Sequence, residues 1–464
     1  MTSPLKESLT CSLFFYEIIS MSGILYAIYL ILSSSLFLSS LPFFILLSIL
    51  HPYFKDSLRN RLGNISSDAI SKIRGKPRVW IHASSIGEVN VAYFILKELR
   101  AYLPENVPLL SVTTPHGIKK AKELLGKDYP IIFSPLDNII TMTHILNRVR
   151  PELIIFIETE IWPIWVYEAK RRGAAIILLN GRVSDRSYGR YRFLKPFLRH
   201  ILKRYDLFSM IAGVDRDRIV ALGGDSSKAY INGNAKFQIL EHREVDTSSV
   251  EYVRSKLKNE DKFTIVAGST RPKEEEIILK AFKILYDRYR VLLVLAPRHI
   301  QRKAEIGQKI RDMGFNFHLW SRLKEGVERQ RIHPIILVDT FGDLFRLYGA
   351  SDVVFCGASL VPLGGQNPLE AVYWRKPVLF GLHMEDFSDI ARILVERGIG
   401  KIVKDHKDMA LCIEEFIRSP EKKREVFDKI EELRKEQSGS TRRHVMCLLK
   451  NLRFFNKLHE WTCK

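Results

Sequence analysis

Several places in this chain put a reactive side chain or a glycine directly after an apolar, strand-like run. Glu88 closes the turn after Val79-Trp80-Ile81-His82, and Glu158-Thr159-Glu160 follows Leu153-Ile154-Ile155-Phe156-Ile157. Arg182 and Arg186 lie in Asn180-Gly181-Arg182-Val183-Ser184-Asp185-Arg186, just past the run from Ala175 to Leu179. In the second half the same places hold Gly268-Ser269-Thr270-Arg271, Pro297-Arg298-His299 and Thr340-Phe341-Gly342-Asp343. Then come Leu363-Gly364-Gly365-Gln366-Asn367-Pro368-Leu369-Glu370 and His383. Carboxylates in the first half suit a base that takes a proton from an acceptor. Glycine loops and helix starts in the second half suit a phosphate, because free backbone N–H groups face it.

Each residue also has a plainer reading. Ser85 and Glu88 have the spacing of a capping box. Glu158 could be a structural carboxylate paired with an arginine such as Arg182, and Glu160 reads as structural. Asn367 suits an N-cap and Pro368 the first helical position, so Glu370 could serve that cap instead of a ligand. His299 fits either a phosphate or an internal hydrogen bond, and Arg182 and Arg186 either the fold or acceptor phosphates.

The elements that must position these residues alternate strand and helix from Pro77 onward. The rhythm predicts a doubly wound α/β domain, a crossing over Val214 to Phe237, and a second α/β domain. In such sheets ligands bind beyond the carboxyl ends of the strands, where the polar residues fall. Residues from both halves therefore point to a cleft between two domains that binds an anionic ligand. The helical, charged tail begins near Asp408.

The 464 residues are enough for two domains, and a net charge of +20 points to anionic partners. No zinc-finger spacing and no basic tract with interleaved aromatics argues for nucleic acid. There is no GxGxxG after the first strand, no GxxxxGK[ST] and no GxSxG. The five cysteines are scattered without a CxxC pair, which fits a reducing compartment. What remains is a two-domain transferase with a nucleotide-activated donor. Between Glu17 and Lys55 there is no charged residue, a stretch longer than one membrane crossing needs. It reads as one long or bent anchor or a hairpin. The basic flank from Lys55 to Arg78 predicts that everything downstream stays on the cytoplasmic side.

Over about Trp80 to Gly400 the chain resembles the lipopolysaccharide Kdo transferases (3-deoxy-D-manno-octulosonic acid transferases). The resemblance rests on His82-Ala83-Ser84-Ser85-Ile86-Gly87-Glu88, Glu158-Thr159-Glu160-Ile161-Trp162-Pro163, and Asn180 to Ser187. It also rests on Gly233-Asn234-Ala235-Lys236-Phe237, Ala296-Pro297-Arg298-His299 and Gly364 to Glu370. It implies an α/β, GT-B glycosyltransferase fold: two Rossmann-like domains facing a cleft, with an N-terminal membrane anchor. The expected division is anchor 1–54, acceptor domain 55–235, donor domain 236–410, and C-terminal helices 411–464 packing back on the first domain. It further implies inverting transfer of one or more Kdo units from CMP-Kdo to the lipid A precursor (lipid IVA) at the inner membrane. No metal, no cofactor and no nucleic acid are expected.

By motif, Glu88 matches the family's general base, and Glu158 and Lys236 match residues that support the transition state. Ser269, Pro297, Arg298, His299, Phe341, Gly342, Asp343, Gly364, Gly365, Asn367, Pro368, Leu369 and Glu370 are expected at the donor, and Arg182 and Arg186 on the acceptor side. Gln366, Asp386 and Gly181 depart from the family pattern, where His, Asn and Ala are usual. The rival readings are a GT-B enzyme using a UDP-sugar and a non-enzymatic lipid- or RNA-binding membrane protein.

Overall fold

The computed structural model describes residues 21–50, 52–240, 247–257, 261–326 and 333–451. Of the expected anchor, residues 1–20 and 51 lie outside the described residues, as do 452–464 of the expected C-terminal helices. Contacts divide the chain into Met1–Gln238 with Gly439–Lys464, and Ile239–Ser438.

The first unit is built on a parallel sheet. Its strands are β1 (Val79–Ala83), β2 (Leu109–Val112), β3 (Ile131–Phe133), β4 (Leu153–Ile157), β5 (Ala175–Gly181), β6 (Leu207–Met210) and β7 (Ala229–Ile231), in the order β3-β2-β1-β4-β5-β6-β7. β1, β2 and β4 are buried along their whole length, as a parallel sheet covered on both faces requires. Trp80, Phe156 and Trp165 fill one face, and Val89, Ile95, Ile155 and Leu179 the other. The order reverses between β1 and β4, which puts the switch point between the ends carrying Glu88 and Glu158.

The second unit repeats the plan with β8 (Phe263–Thr270), β9 (Val291–Pro297), β10 (Phe317–Leu319), β11 (Ile335–Leu337), β12 (Val353–Cys356), β13 (Val378–Phe380) and β14 (Gly400–Ile402). All pair in parallel, in the order β10-β11-β9-β8-β12-β13-β14. Three strands, β7, β10 and β14, do not stand out in the sequence. Each has three residues and lies at a sheet edge, where partial exposure removes the apolar run that marks a strand.

Two expected boundaries shift. The sequence puts Lys236 at the start of the donor domain, but it counts with the first unit. The segment 411–464 divides. Helices His406–Arg418 and Pro420–Gln437 count with the second unit. The Tyr289 hydroxyl donates to Glu414 at 2.6 Å, and Arg375 pairs with Glu431 at 2.5 Å. Helix Ser440–Asn451 counts with the first unit: buried His444 meets Ser209 Oγ at 2.5 Å and the Gly233 carbonyl at 2.9 Å. Ser438-Gly439-Ser440 breaks the two helices apart, and Gly439 takes the positive φ that the break needs.

The uncharged N-terminal stretch forms one continuous helix, Met21–Leu50, with Pro42 inside it. It is long and apolar enough to cross a membrane by length and composition.

Candidate active site

In the first unit, β1 ends at Ala83 and helix Ile86–Leu99 follows after a two-residue turn. Ser85 caps that helix by accepting the Glu88 N–H at 3.3 Å. The Glu88 carboxylate turns back and accepts from the Ser84 N–H at 2.6 Å and the Ser85 hydroxyl at 3.0 Å. The capping-box spacing is therefore realised, with Ser84 supplying the backbone donor. A cap on an exposed helix keeps an ordinary carboxyl. Glu88 does not: burial pushes it up to about 8, and the neighbouring Glu158 and Glu160 push the same way.

Glu158 sits immediately past β4 with φ at +62°. A bulky residue in the left-handed region costs about 1–3 kcal/mol, held here by the surrounding structure. Its carboxylate meets Lys236 Nζ at 2.7 Å, with both side chains largely shielded from solvent. The sequence suggests an arginine such as Arg182 as the partner of Glu158. The partner found is Lys236, on the segment that closes the first unit.

Lys236 is positioned by two asparagines. Buried Asn180, at the end of β5 with φ at +56°, accepts the Ala235 N–H at 2.8 Å. Asn234 accepts the Lys236 N–H at 3.0 Å. Glu160 has different direct partners from Glu158. It accepts from the Trp162 indole at 2.7 Å and lies 3.7 Å from His82 Nε2. Burial alone would raise it, but His82, Ser84 and Trp162 outweigh that and hold it below its ordinary value. Neither His82 nor Asn180 stands out in the sequence as a site residue, although both lie in the motifs given above. A polar residue in or at the end of an apolar, strand-like run is the signal that could have found them.

Arg182 is half-buried beside Val183, and Arg186 is exposed in the first turn of helix Asp185–Phe193. At Gly181 a Cβ would come within 2.5 Å of Met210 Sδ, so Met210 fills the space an alanine there would need. Arg61 stands in the sequence only as part of a basic flank. It donates to the Thr113 carbonyl at 2.5 Å and lies over the Phe133 ring, at the carboxyl ends of β2 and β3.

In the second unit, Ser269 is buried at the end of β8 with φ at +55°. Pro297 ends β9, and Arg298 and His299 follow it exposed; His299 Nε2 lies 2.7 Å from Arg271. Phe341 is exposed, and Gly342 has φ at +88° with open space around it. The Asp343 carboxylate is engaged by Thr340 and by Lys324 at 2.8 Å. Burial opposes its ionisation, but these partners prevail and lower its pKa.

Gly364 and Gly365 both have positive φ. Added Cβ atoms would collide with Asp386 and Met384. The glycines therefore let this loop approach its neighbouring loop. Asn367 accepts the Leu369 N–H at 3.1 Å, as a cap does, while Pro368 and Leu369 are buried and Glu370 is half-buried. The helix that follows, Leu369–Tyr373, has only five residues.

One residue organising this region does not stand out in the sequence. Glu274 is fully buried and accepts four backbone N–H groups, from Arg271, Ala358, Ser359 and Leu360, at 2.7–2.9 Å. It ties the turn after β8 to the turn after β12 across the switch point of the second sheet. Burial raises its pKa and the four donors pull the other way.

Residues 56–239 match the family profile described as 3-Deoxy-D-manno-octulosonic-acid transferase (kdotransferase). The 3-deoxy-D-manno-octulosonic acid transferase of Haemophilus influenzae is 30% identical, over 87% of this chain and 93% of its own length. The bifunctional glycosyltransferase/methyltransferase of Fusobacterium nucleatum is 35% identical over 81% of this chain, a match that spans 57% of that protein's length. Among solved structures, the UDP-GlcNAc 2-epimerase from Neisseria meningitidis bound to UDP-GlcNAc aligns with a TM-score of 0.53 and 14% identity. That alignment covers 80% of this chain and 100% of the epimerase, a likeness of fold alone.

Proposed function

The chain belongs to the 3-deoxy-D-manno-octulosonic acid (Kdo) transferase family, and on that premise we propose how its residues transfer Kdo. The donor is CMP-Kdo and the acceptor is the lipid A precursor. The observation that carries this reading is Glu88: a buried carboxyl at the end of β1, raised to about 8 by burial and by two further carboxylates. A base whose pKa lies near the working pH combines an adequate ionised fraction with an adequate pull on the proton.

In the proposed reaction Glu88 takes the proton of the acceptor hydroxyl as its oxygen bonds to the anomeric carbon. The bond from that carbon to the CMP phosphate breaks, and the configuration inverts. The Lys236–Glu158 pair places a cation and an anion beside the base. Lys236 would stabilise negative charge that develops on the donor, as preorganised cations do. Arg182 and Arg186 serve the acceptor side. Ser269, Arg298, His299 and the loop from Gly364 to Glu370 serve the nucleotide. Asp343 shapes its turn through Thr340 and Lys324. The enzyme works at the cytoplasmic face of the inner membrane, held there by helix Met21–Leu50.

The test is incubation with lipid A precursor and freshly made CMP-Kdo, with products weighed by mass spectrometry. A mass increase of one or more Kdo units is expected. No increase, with transfer from a UDP-sugar instead, overturns the donor assignment.

A further inference from the structure

By length alone, helix Met21–Leu50 could cross a bilayer, since thirty residues rise about 45 Å against an apolar core of about 30 Å. Its attachments say otherwise. Near its start, Tyr26 is buried in the core of the first unit, stacked on Tyr167 at 4.4 Å. The Tyr29 hydroxyl donates to Asp137 at 2.9 Å, and Leu30 packs on the same core. Beyond its end, helix Pro52–Arg61 brings the chain back to the sheet, where Arg61 donates to the Thr113 carbonyl at 2.5 Å and lies over Phe133. Nine helical steps and two Cα–Cα steps place Leu50 within about 21 Å of Arg61. A helix pinned to one domain at Tyr26, and returned to it so soon after Leu50, cannot set its end beyond a layer of about 30 Å.

We propose that helix Met21–Leu50 seats in one leaflet with both ends on the side of the first domain, and that the Phe193–Leu194 corner shares this seat. The inference rests on the proposed membrane association. The helix leaves Ile24, Ile28 and Ile31 exposed on the face away from the docked tyrosines, and Leu32 and Leu36 are exposed as well. Beside it runs helix Lys195–Leu202 in antiparallel sense: Tyr26 lies 5.9 Å from His200, and Tyr29 lies 5.4 Å from Phe197. Because the two helices run antiparallel, the Phe193–Leu194 corner at the start of Lys195–Leu202 lies toward the Leu50 end of helix Met21–Leu50. Phe193 is 88% exposed and Leu194 53%. From Arg186 to Tyr205 there are seven Lys and Arg residues and no acidic one.

An apolar strip edged by cations fits an anionic lipid surface. A second copy of this chain would instead bring like charges together.

Two measurements test the seat. Ser22→Cys and Ser48→Cys variants are treated with a membrane-impermeant maleimide in spheroplasts and in inverted vesicles, and labelling is read site by site by mass spectrometry. Neither site should label from the far face, while both should label in detergent. Labelling of the Ser48→Cys variant from the far face overturns the seat. The double variant Phe193→Glu, Leu194→Glu should bind vesicles of phosphatidylglycerol and phosphatidylethanolamine roughly tenfold or more weakly in flotation, with an unchanged melting temperature. Equal binding, or a concentration-dependent dimer without vesicle binding, overturns the corner's role. If the wild-type chain fails to float with vesicles, the proposed membrane association itself fails.

Discussion

Among single residues, Glu88 both satisfies the start of its helix and is raised to about 8 by burial and by two neighbouring carboxylates. Glu88→Gln keeps the size and loses the charge. Turnover should fall by about 10²–10⁴, and the rise of kcat/KM with pH through about 8 should vanish. Measured turnover near wild type would reject Glu88 as the base. Because the folded value lies above the ordinary 4.5, stability is full below 4.5 and is lost as pH rises through about 8. That loss should be absent from thermal melts of the Gln variant. Lys236→Met leaves Glu158 without its ion-pair partner. Turnover should drop by about 10²-fold, with the effect larger on kcat than on CMP binding.

Among the elements, the N-terminal helix and the helix after β4 meet at Asp137. It accepts the Trp165 N–H at 2.7 Å, the Ile164 N–H at 3.2 Å and the Tyr29 hydroxyl. Trp162 precedes helix Pro163–Arg171 without a side-chain cap, so Asp137, far earlier in the chain, does that work. Burial raises Asp137 to about 6, against the pull of these donors. Asp137→Ala should cost about 1–2 kcal/mol, measured by denaturant unfolding, and should loosen helix Met21–Leu50. Hydrogen exchange unchanged over residues 21–30 would show that the helix docks without it.

Across the chain as a whole, the backbone leaves the first unit at Gln238 and returns to it at Gly439. His444 fastens the return. Burial lowers it to about 4, so it is neutral in the folded state. Stability from this group is full above the ordinary value of 6.5 and is lost as pH falls through about 4. Thermal melts between about pH 7 and 4 should show this acid loss, and His444→Ala should show a smaller slope. A slope identical in the two proteins would place the acid sensitivity elsewhere.

The apolar runs, the turn residues between them and the order of the motifs are enough to read two α/β domains, a long uncharged apolar stretch and the family. Strand periodicity and capping are local, so they are written in neighbouring residues. The partner of Glu158, the hub at Glu274, the cap at Asp137 and which of the C-terminal helices returns to the first unit were decided by tertiary structure. Each joins residues far apart in the chain, through burial and hydrogen bonds that no local spacing encodes. The same holds for the N-terminal helix: its composition says that it seeks an apolar layer, and only its two attachments to one domain say how far it can reach.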